Sequence, residues 1–337
     1  FLIVSPIIIS IFIYKSNNKT NNKIEISILQ PNIDPYNKKF KKSNVELFEL
    51  IKNQSRDFVS QNTKYLIAPE GYLDGGIGVN LKNFKNSKLK SRIDEFLNEY
   101  KNLNLIIGAQ SYKMYPESKN SPTSTANKIS NGQWVDVFNS AFQFSNNYKP
   151  QYYHKSKLVV GVEFMPYKNL LEPIIGEVLL DFGGTIATRG IQNKRSNFQS
   201  KEKVIVAPII CYESIYGSFV TEYVRYGAEL LVVISNDAWW GNTEGHRQLL
   251  SYSRLRAIEN RRAIARSANT GISAIIDKNG EITKKIDYGK KGILSGNVEL
   301  DNKLTFYTKY EDYIARIALL LFILTILFLI RNFLTKR

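Results

Sequence analysis

Three short apolar runs, each ending in a polar residue with reactive chemistry, constrain this chain more than any other feature. "KYLIAPE" (64–70) climbs to Glu70, "KVIVAPIICYE" (203–213) to Cys211, and "AELLVVISND" (228–237) to Asn236 and Asp237. Runs this short, rich in Val, Ile and Leu and without polar alternation, read as strands buried on both faces. Segments of helical period lie around them. "SNVELFELIKNQSRDFVSQ" (43–61) opens with a capping box, Ser43 at the N-cap and Glu46 three positions on. "SRIDEFLNEYKN" (91–102) has amphipathic spacing, and a long helical stretch runs from His246 to Arg262. "KIEISILQ" (23–30), "LNLIIGAQ" (103–110) and "WVDVFNSAFQF" (134–144) read as further strands, and "GISAIIDKNGEITKKI" (271–286) as a hairpin turning on Lys-Asn-Gly. Such alternation predicts a layered α/β domain over residues 23–302.

The ends have a different character. "FLIVSPIIISIFIY" (1–14) reads as the end of a membrane helix, and "YIARIALLLFILTILFLI" (313–330) as a second one. The latter approaches the roughly 20 apolar residues that a hydrocarbon core requires. Its single charge, Arg316, lies near the start, where it can reach the headgroups. The domain would then hang between two anchors on one face of a membrane. The basic tail "RNFLTKR" (331–337) argues for a cytoplasmic C-terminus. Lys15, Lys19 and Lys23 argue the other way, so charge leaves the side open. Position 1 is Phe, which suggests a piece of a longer chain.

Several function classes recede on composition. A net charge of +16 invites nucleic acid, but the lysines are scattered among asparagines and isoleucines. No arginine-rich block or basic–aromatic alternation stands out, so no nucleic-acid partner is expected. One cysteine excludes an intrachain disulfide. With only His154 and His246 beside it, the chain offers no zinc-type spacing, and no metal is expected. Motifs of the G-x-S-x-G, Walker A and G-x-G-x-x-G kinds are missing too, so no cofactor is expected.

In α/β sheets ligands bind beyond the carboxyl ends of strands, so the three polar ends could meet at one pocket. "YYHKSKLVVGVEFMPY" (152–167), between the first two in sequence, adds Lys155, Lys157 and Glu163. A thiol nucleophile needs a base and a charge to stabilise the developing oxyanion. Neither histidine follows an apolar strand. A carboxylate in a dry pocket can act as base, and a lysine with the N–H after the cysteine can hold the oxyanion. Against this, a lone cysteine on an apolar strand is ordinarily a small core residue. A glutamate ending a strand is commonly solvated, and lysines as in "HKSK" commonly face water. Spacing alone leaves both readings open.

Glu70 in "APEGY", Lys155 in "YHKSKLVVGVEFMP" and Cys211 in "IICYES" resemble the Glu–Lys–Cys triad of the nitrilase superfamily. Their order and spacing are similar to its membrane-bound branch, the apolipoprotein N-acyltransferases. "ILQPNIDPYNKKF" (28–40), "FNSA" (138–141), "SNDAWWGNTEGHRQLL" (235–250) and "RLRAIENRRAIARSANTGISAIID" (254–277) extend the likeness across nearly all of residues 24–302. The resemblance implies an αββα sandwich flanked by membrane helices, with more such helices upstream. It implies Glu70 as general base, Lys155 as oxyanion stabiliser and Cys211 as carrier of an acyl thioester. Glu163 would support the lysine, Tyr212 and Glu213 would flank the nucleophile, and Asn139 matches a site asparagine. Trp239, Trp240 and Asn236 are candidate substrate contacts. "LVVGVE" departs from the commoner L-V-P-F-G-E after the lysine, although Glu163 keeps its distance from Lys155. The implied reaction is ping-pong: an acyl chain passes from a phospholipid to Cys211, then to the amine of a diacylated lipoprotein. That would occur at the bacterial inner membrane, with the catalytic domain on the periplasmic side. The apolar stretch 164–182 is a candidate lid that dips into the interface. A membrane-tethered amidase or nitrilase-type hydrolase, with water as acceptor, is the alternative. A catalytically dead lipoprotein-binding scaffold would not need all three triad positions filled.

Overall fold

The apolar runs lie in the interiors of two sheets stacked face to face. The computed structural model describes residues 4–15, 22–34, 42–164 and 188–335. The first sheet runs β14 (Gly292–Glu299), β1 (Lys23–Gln30), β2 (Thr63–Ile67), β4 (Asn104–Tyr115), β6 (Trp134–Ser145) and β5 (Asn127–Lys128). Beside β4 lies β3 (Val79–Asn80), and beside β6 lies β7 (Gln151–His154). The second sheet runs β13 (Ile282–Ile286), β12 (Ser273–Ile276), β11 (Ile264–Ala268), β10 (Leu230–Ser235), β9 (Ile205–Ile210) and β8 (Phe198–Gln199). A parallel trio forms the middle of each, β1–β2–β4 in one and β9–β10–β11 in the other. Antiparallel strands flank both trios.

Alternation of side chains across each strand produces the layers. Ile26 and Ile28 of β1, Tyr65 and Ile67 of β2 and Ile106 of β4 share a core with the second sheet. Leu29, Leu66, Leu105 and Ile107 point the other way, onto helices α2 (Asn44–Ser55) and α3 (Lys88–Glu99). Helix α2 begins at the capping box read from the sequence. The Ser43 side chain accepts from Glu46 N, and the Glu46 carboxylate accepts from Ser43 N at 2.7 Å. Its Phe48 meets Phe96 of α3 edge-on, with ring centres 6.0 Å apart. Such fully buried rings contribute about 1.5–3 kcal/mol each by area. Helices α4 (Gly217–Arg225) and α5 (Glu244–Asn260) supply Val220, Tyr223, Leu250 and Ala257 to the core of the second sheet. The layer order is therefore helix, sheet, sheet, helix.

Two apolar helices stand apart. Helix α1 (Val4–Lys15) precedes β1; after β14 come a short α6 (Phe306–Tyr310) and α7 (Tyr313–Thr335). Helix α7 has 23 residues, none of them buried, and holds an 18-residue stretch with a mean hydropathy of 2.7. It runs past residue 330 into the basic tail, because no glycine or proline interrupts "RNFLT".

Candidate active site

All three polar strand ends lie just past the carboxyl ends of parallel strands, Glu70 three residues beyond β2, Cys211 directly after β9 and Asn236 directly after β10. Glu70 is held in place by a close crossing of backbone. Gly108 of β4 passes beneath it, and a Cβ there would come within 2.5 Å of the Glu70 Cα. Lys155 follows β7, and its N–H donates to the Asn139 carbonyl of β6 at 2.8 Å. The β6–β7 pairing thus sets both side chains on one side of the site.

The four buried polar groups interlock. Lys155 Nζ lies 3.0 Å from Glu70 Oε1 and 2.9 Å from Glu163 Oε2, and the lysine is 1% exposed. Asn139 Nδ2 donates to the same two carboxylates, at 2.7 Å each. The second Glu70 oxygen accepts the Asn236 N–H at 2.9 Å, and Val159 N–H donates to Glu163 at 2.9 Å. Burial alone would discharge Lys155, but Glu163 and then Glu70 overturn that and hold its pKa above the usual range. Glu163 is affected by burial in the opposite sense, yet Lys155, Asn139 and Val159 hold it below the ordinary carboxylate range.

Cys211 sits in a strained turn. Its φ is +50°, a left-handed conformation that costs a non-glycine residue about 1–2 kcal/mol. The chain then tightens into a short 3-10 helix, Cys211–Ile215, whose first N–H groups have no partner within the helix. Burial pushes the thiol pKa up, the Glu70 charge pushes it further, and Lys155 opposes both. The sulfur therefore feels the two groups that the family resemblance pairs with it.

Other candidate residues have different places. Glu213 turns away from the thiol and binds the lysine loop instead. It accepts from Tyr153 Oη and Ser156 N at 2.6 Å, Ile210 N at 2.9 Å and Lys157 N at 3.3 Å. Tyr212 meets Tyr216 edge-on at 5.5 Å. Trp239 and Trp240 are exposed, 46% and 47%, and the backbone of their segment reaches the buried cluster through Asn236 N–H. Both histidines are engaged elsewhere. His154 bonds Ser140 at 2.7 Å and burial lowers its pKa to about 4; His246 is buried against Tyr288. Of the candidate lid, residues 165–182 lie outside the described residues.

Comparison with known proteins places this geometry in a family. Residues 46–303 match the carbon-nitrogen hydrolase family model, well over half of the sequence. The chain belongs to the carbon-nitrogen hydrolase family. Among its curated relatives, apolipoprotein N-acyltransferase of Chlorobaculum tepidum is 27% identical over 326 residues, 94% of this chain and 59% of the relative. The enzyme of that name from Shewanella oneidensis is 31% identical over 199 residues, 56% of this chain and 38% of the relative. The chain thus spans less than two thirds of either relative. Among solved structures, Nit3 of Saccharomyces cerevisiae, a nitrilase-superfamily member, superposes with a TM-score of 0.55 at 15% identity, covering 84% of this chain and 92% of that one. An amidase from Nesterenkonia sp. gives 0.55 at 14% identity, covering 89% and 98%. These two establish the fold, a nitrilase-like αββα sandwich.

Two anchoring arrangements escape a reading of the sequence. One is the Tyr153–Glu213–Ser156 hub, whose partners are 60 and 57 residues from Glu213. The other is a fully buried ion pair, Arg266 Nη2 to Asp237 Oδ2 at 2.7 Å, with Ser235 Oγ on the other oxygen. It fixes the turn that presents Asn236 N–H to Glu70. Gly271 packs onto that carboxylate so closely that a Cβ would lie 2.0 Å from Oδ2.

The hub gives a pH prediction. Burial raises the Glu213 pKa to about 7, against the opposing pull of Tyr153, Ile210, Ser156 and Lys155. Only the carboxylate accepts from all of its donors, so the lysine loop is fully tied down above that pH and loosens below it. Tyr153→Phe removes a donor to the ionised form and moves the Glu213 pKa higher. The acid limb of the rate of Cys211 acylation should shift alkaline by about half to one unit. A pH–rate profile with an acid limb unmoved by Tyr153→Phe contradicts this role.

Proposed function

We propose that this chain carries the catalytic domain of an apolipoprotein N-acyltransferase, anchored in the bacterial inner membrane with its site on the periplasmic side. The observation that carries the reading is the reach of the Chlorobaculum relative, whose likeness covers 94% of this chain and so extends beyond the family domain at 46–303. A hydrolase with the same triad has no need of that apolar flank. Helix α7, long and apolar enough to cross a bilayer, agrees with a donor that stays in one.

In this reading Glu70 takes the Cys211 proton as the sulfur attacks the ester carbonyl of a phospholipid. The S–C bond forms, the negative oxygen is held by Lys155 and the N–H groups at the start of the 3-10 helix, and the C–O bond breaks. Glu70 returns its proton to the departing lysophospholipid. The free amine of an S-diacylglyceryl cysteine then attacks the thioester and loses a proton to Glu70. The amide forms and the thiol is restored. Lys155 keeps its proton throughout, which its pairing with two carboxylates favours. No step calls for a metal or organic cofactor.

Purified protein incubated with a radiolabelled phospholipid should yield an acyl adduct on Cys211 by mass spectrometry, absent from Cys211→Ala. Adding a diacylated lipopeptide should move the label to the peptide amine. Label found only in free fatty acid would establish a hydrolase instead, and no adduct with either acceptor would leave a binding scaffold.

A further inference from the structure

The join between the catalytic layers and α7 is a bonded clamp. Thr305 caps α6, and its Oγ1 donates to the Glu259 carbonyl near the end of α5. Thr308 Oγ1 donates to the buried Asn260 side chain at 3.1 Å. Arg225, the last residue of α4, donates to the Thr308 carbonyl at 3.2 Å and to Glu311 Oε1 at 2.5 Å. The other Glu311 oxygen accepts from Arg316 in the first turn of α7, at 2.9 Å. One carboxylate is therefore shared between the last turn of α4 and the apolar helix. Glu311 also has a φ of +53°, a conformation that persists in a non-glycine residue where its surroundings over-determine it.

The clamp continues to the nucleophile. Helix α4 starts two residues after the 3-10 helix that begins at Cys211. Gly217, at that start, lies so close to α6 that a Cβ would come within 2.3 Å of Tyr307 Oη. Arg256 of α5 donates to the Ile215 carbonyl, at the end of the same turn, at 3.1 Å. Direct contacts thus connect Arg316 on α7 to the turn that carries the sulfur.

We infer that Glu311 is a positioning residue that fixes the Cys211 pocket at one height and angle to the bilayer, so that the sulfur meets an ester carbonyl of a lipid still seated in the leaflet. This rests on the phospholipid-donor reading above. The ester linkage of a bilayer lipid occupies a narrow depth, and a reacting centre displaced by about 1 Å can lose on the order of a hundred-fold in rate. The carboxylate is half-buried and its partner Arg316 exposed, and surface ion pairs contribute little to stability, so the main effect of Glu311 is on geometry.

The test uses the full chain in phospholipid vesicles with two acyl donors, the bilayer lipid and water-soluble p-nitrophenyl butyrate. In Glu311→Gln and in Arg225→Met, acylation of Cys211 by bilayer lipid should fall about ten-fold or more, while acylation by the soluble ester stays at the wild-type level. Orientation is read independently. Nitroxides at Lys291→Cys and Leu334→Cys, in a Cys211→Ala background, should give a narrow distance distribution that broadens on adding Glu311→Gln. Equal losses with both donors, or undiminished acylation by bilayer lipid, overturn the inference. If the wild type accepts acyl groups from the soluble ester but never from phospholipid, the donor reading fails. The nitroxide distances then decide the clamp by themselves, and an unbroadened distribution overturns it.

Discussion

Lys155→Met should lower the rate of Cys211 acylation by about a hundred- to a thousand-fold or more, the scale expected when the main stabiliser of an oxyanion is removed. The loss goes beyond the missing positive charge. Glu70 and Glu163 both pair with Lys155 Nζ and are bridged by Asn139, and both are more than nine-tenths buried. Without the ammonium, two carboxylates face each other in a dry pocket, and at least one must take up a proton at neutral pH. Should that one be Glu70, the base is lost along with the oxyanion partner. Leaving buried charges unpaired also costs about 3–5 kcal/mol of stability, so the variant should melt early. Glu163→Gln added to Lys155→Met relieves the repulsion. The double variant should recover much of the melting temperature while acylation stays about a hundred-fold or more below wild type, since the oxyanion partner is still missing. Recovery of both would make Lys155 a structural residue, and a single variant within ten-fold of wild type would remove it from the mechanism.

The sequence makes the centre of each sheet legible and its margins obscure, for a physical reason. Strands β2, β9 and β10 are buried on both faces, so "YLI", "IVAPII" and "LLVVIS" are apolar without interruption. Strand β14 is "GILSGNVE", half-exposed with two glycines, and β3, β5 and β8 are only two residues long. Their pairing comes from neighbours, and no local pattern announces it. The site divides in the same way. Glu70, Cys211 and Asn236 stand out because each interrupts an apolar run. Glu213 reads as a mere neighbour of the cysteine, since its role is set by Tyr153 and Ser156 far upstream. Arg262 and Arg266 are the least legible. In "RRAIAR" nothing local marks them as interior, yet both are fully buried, Arg262 capping carbonyls such as Ala228 and Arg266 paired with Asp237.

Glu70→Gln should abolish thioester formation at neutral pH, and the pattern of its recovery should separate its role from that of Lys155. The Cys211 thiol holds its proton more tightly than a free cysteine, because burial comes first and the Glu70 charge adds to it. Hardly any thiolate then exists at pH 7 without a base to accept the proton at the moment of attack. General-base loss of this kind costs about 10²–10⁴ in rate. A glutamine also meets a hydrogen-bond conflict. One Glu70 oxygen accepts from Lys155 and Asn139, and the other accepts the Asn236 N–H. Whichever way the amide turns, its NH₂ faces a donor, an unsatisfied contact worth about 1–3 kcal/mol. Neutralising Glu70 nevertheless removes a negative charge that raises the thiol pKa, so the thiol of Glu70→Gln should ionise at lower pH than in the wild type. Acylation by a soluble ester should therefore return in part as the pH is raised, with hydroxide replacing the missing base. Lys155→Met should show no such return, since its defect lies in holding the oxyanion and high pH supplies nothing in its place. A Glu70→Gln rate that stays flat with rising pH would mean that Glu70 acts by holding Lys155 in place and not by moving the proton.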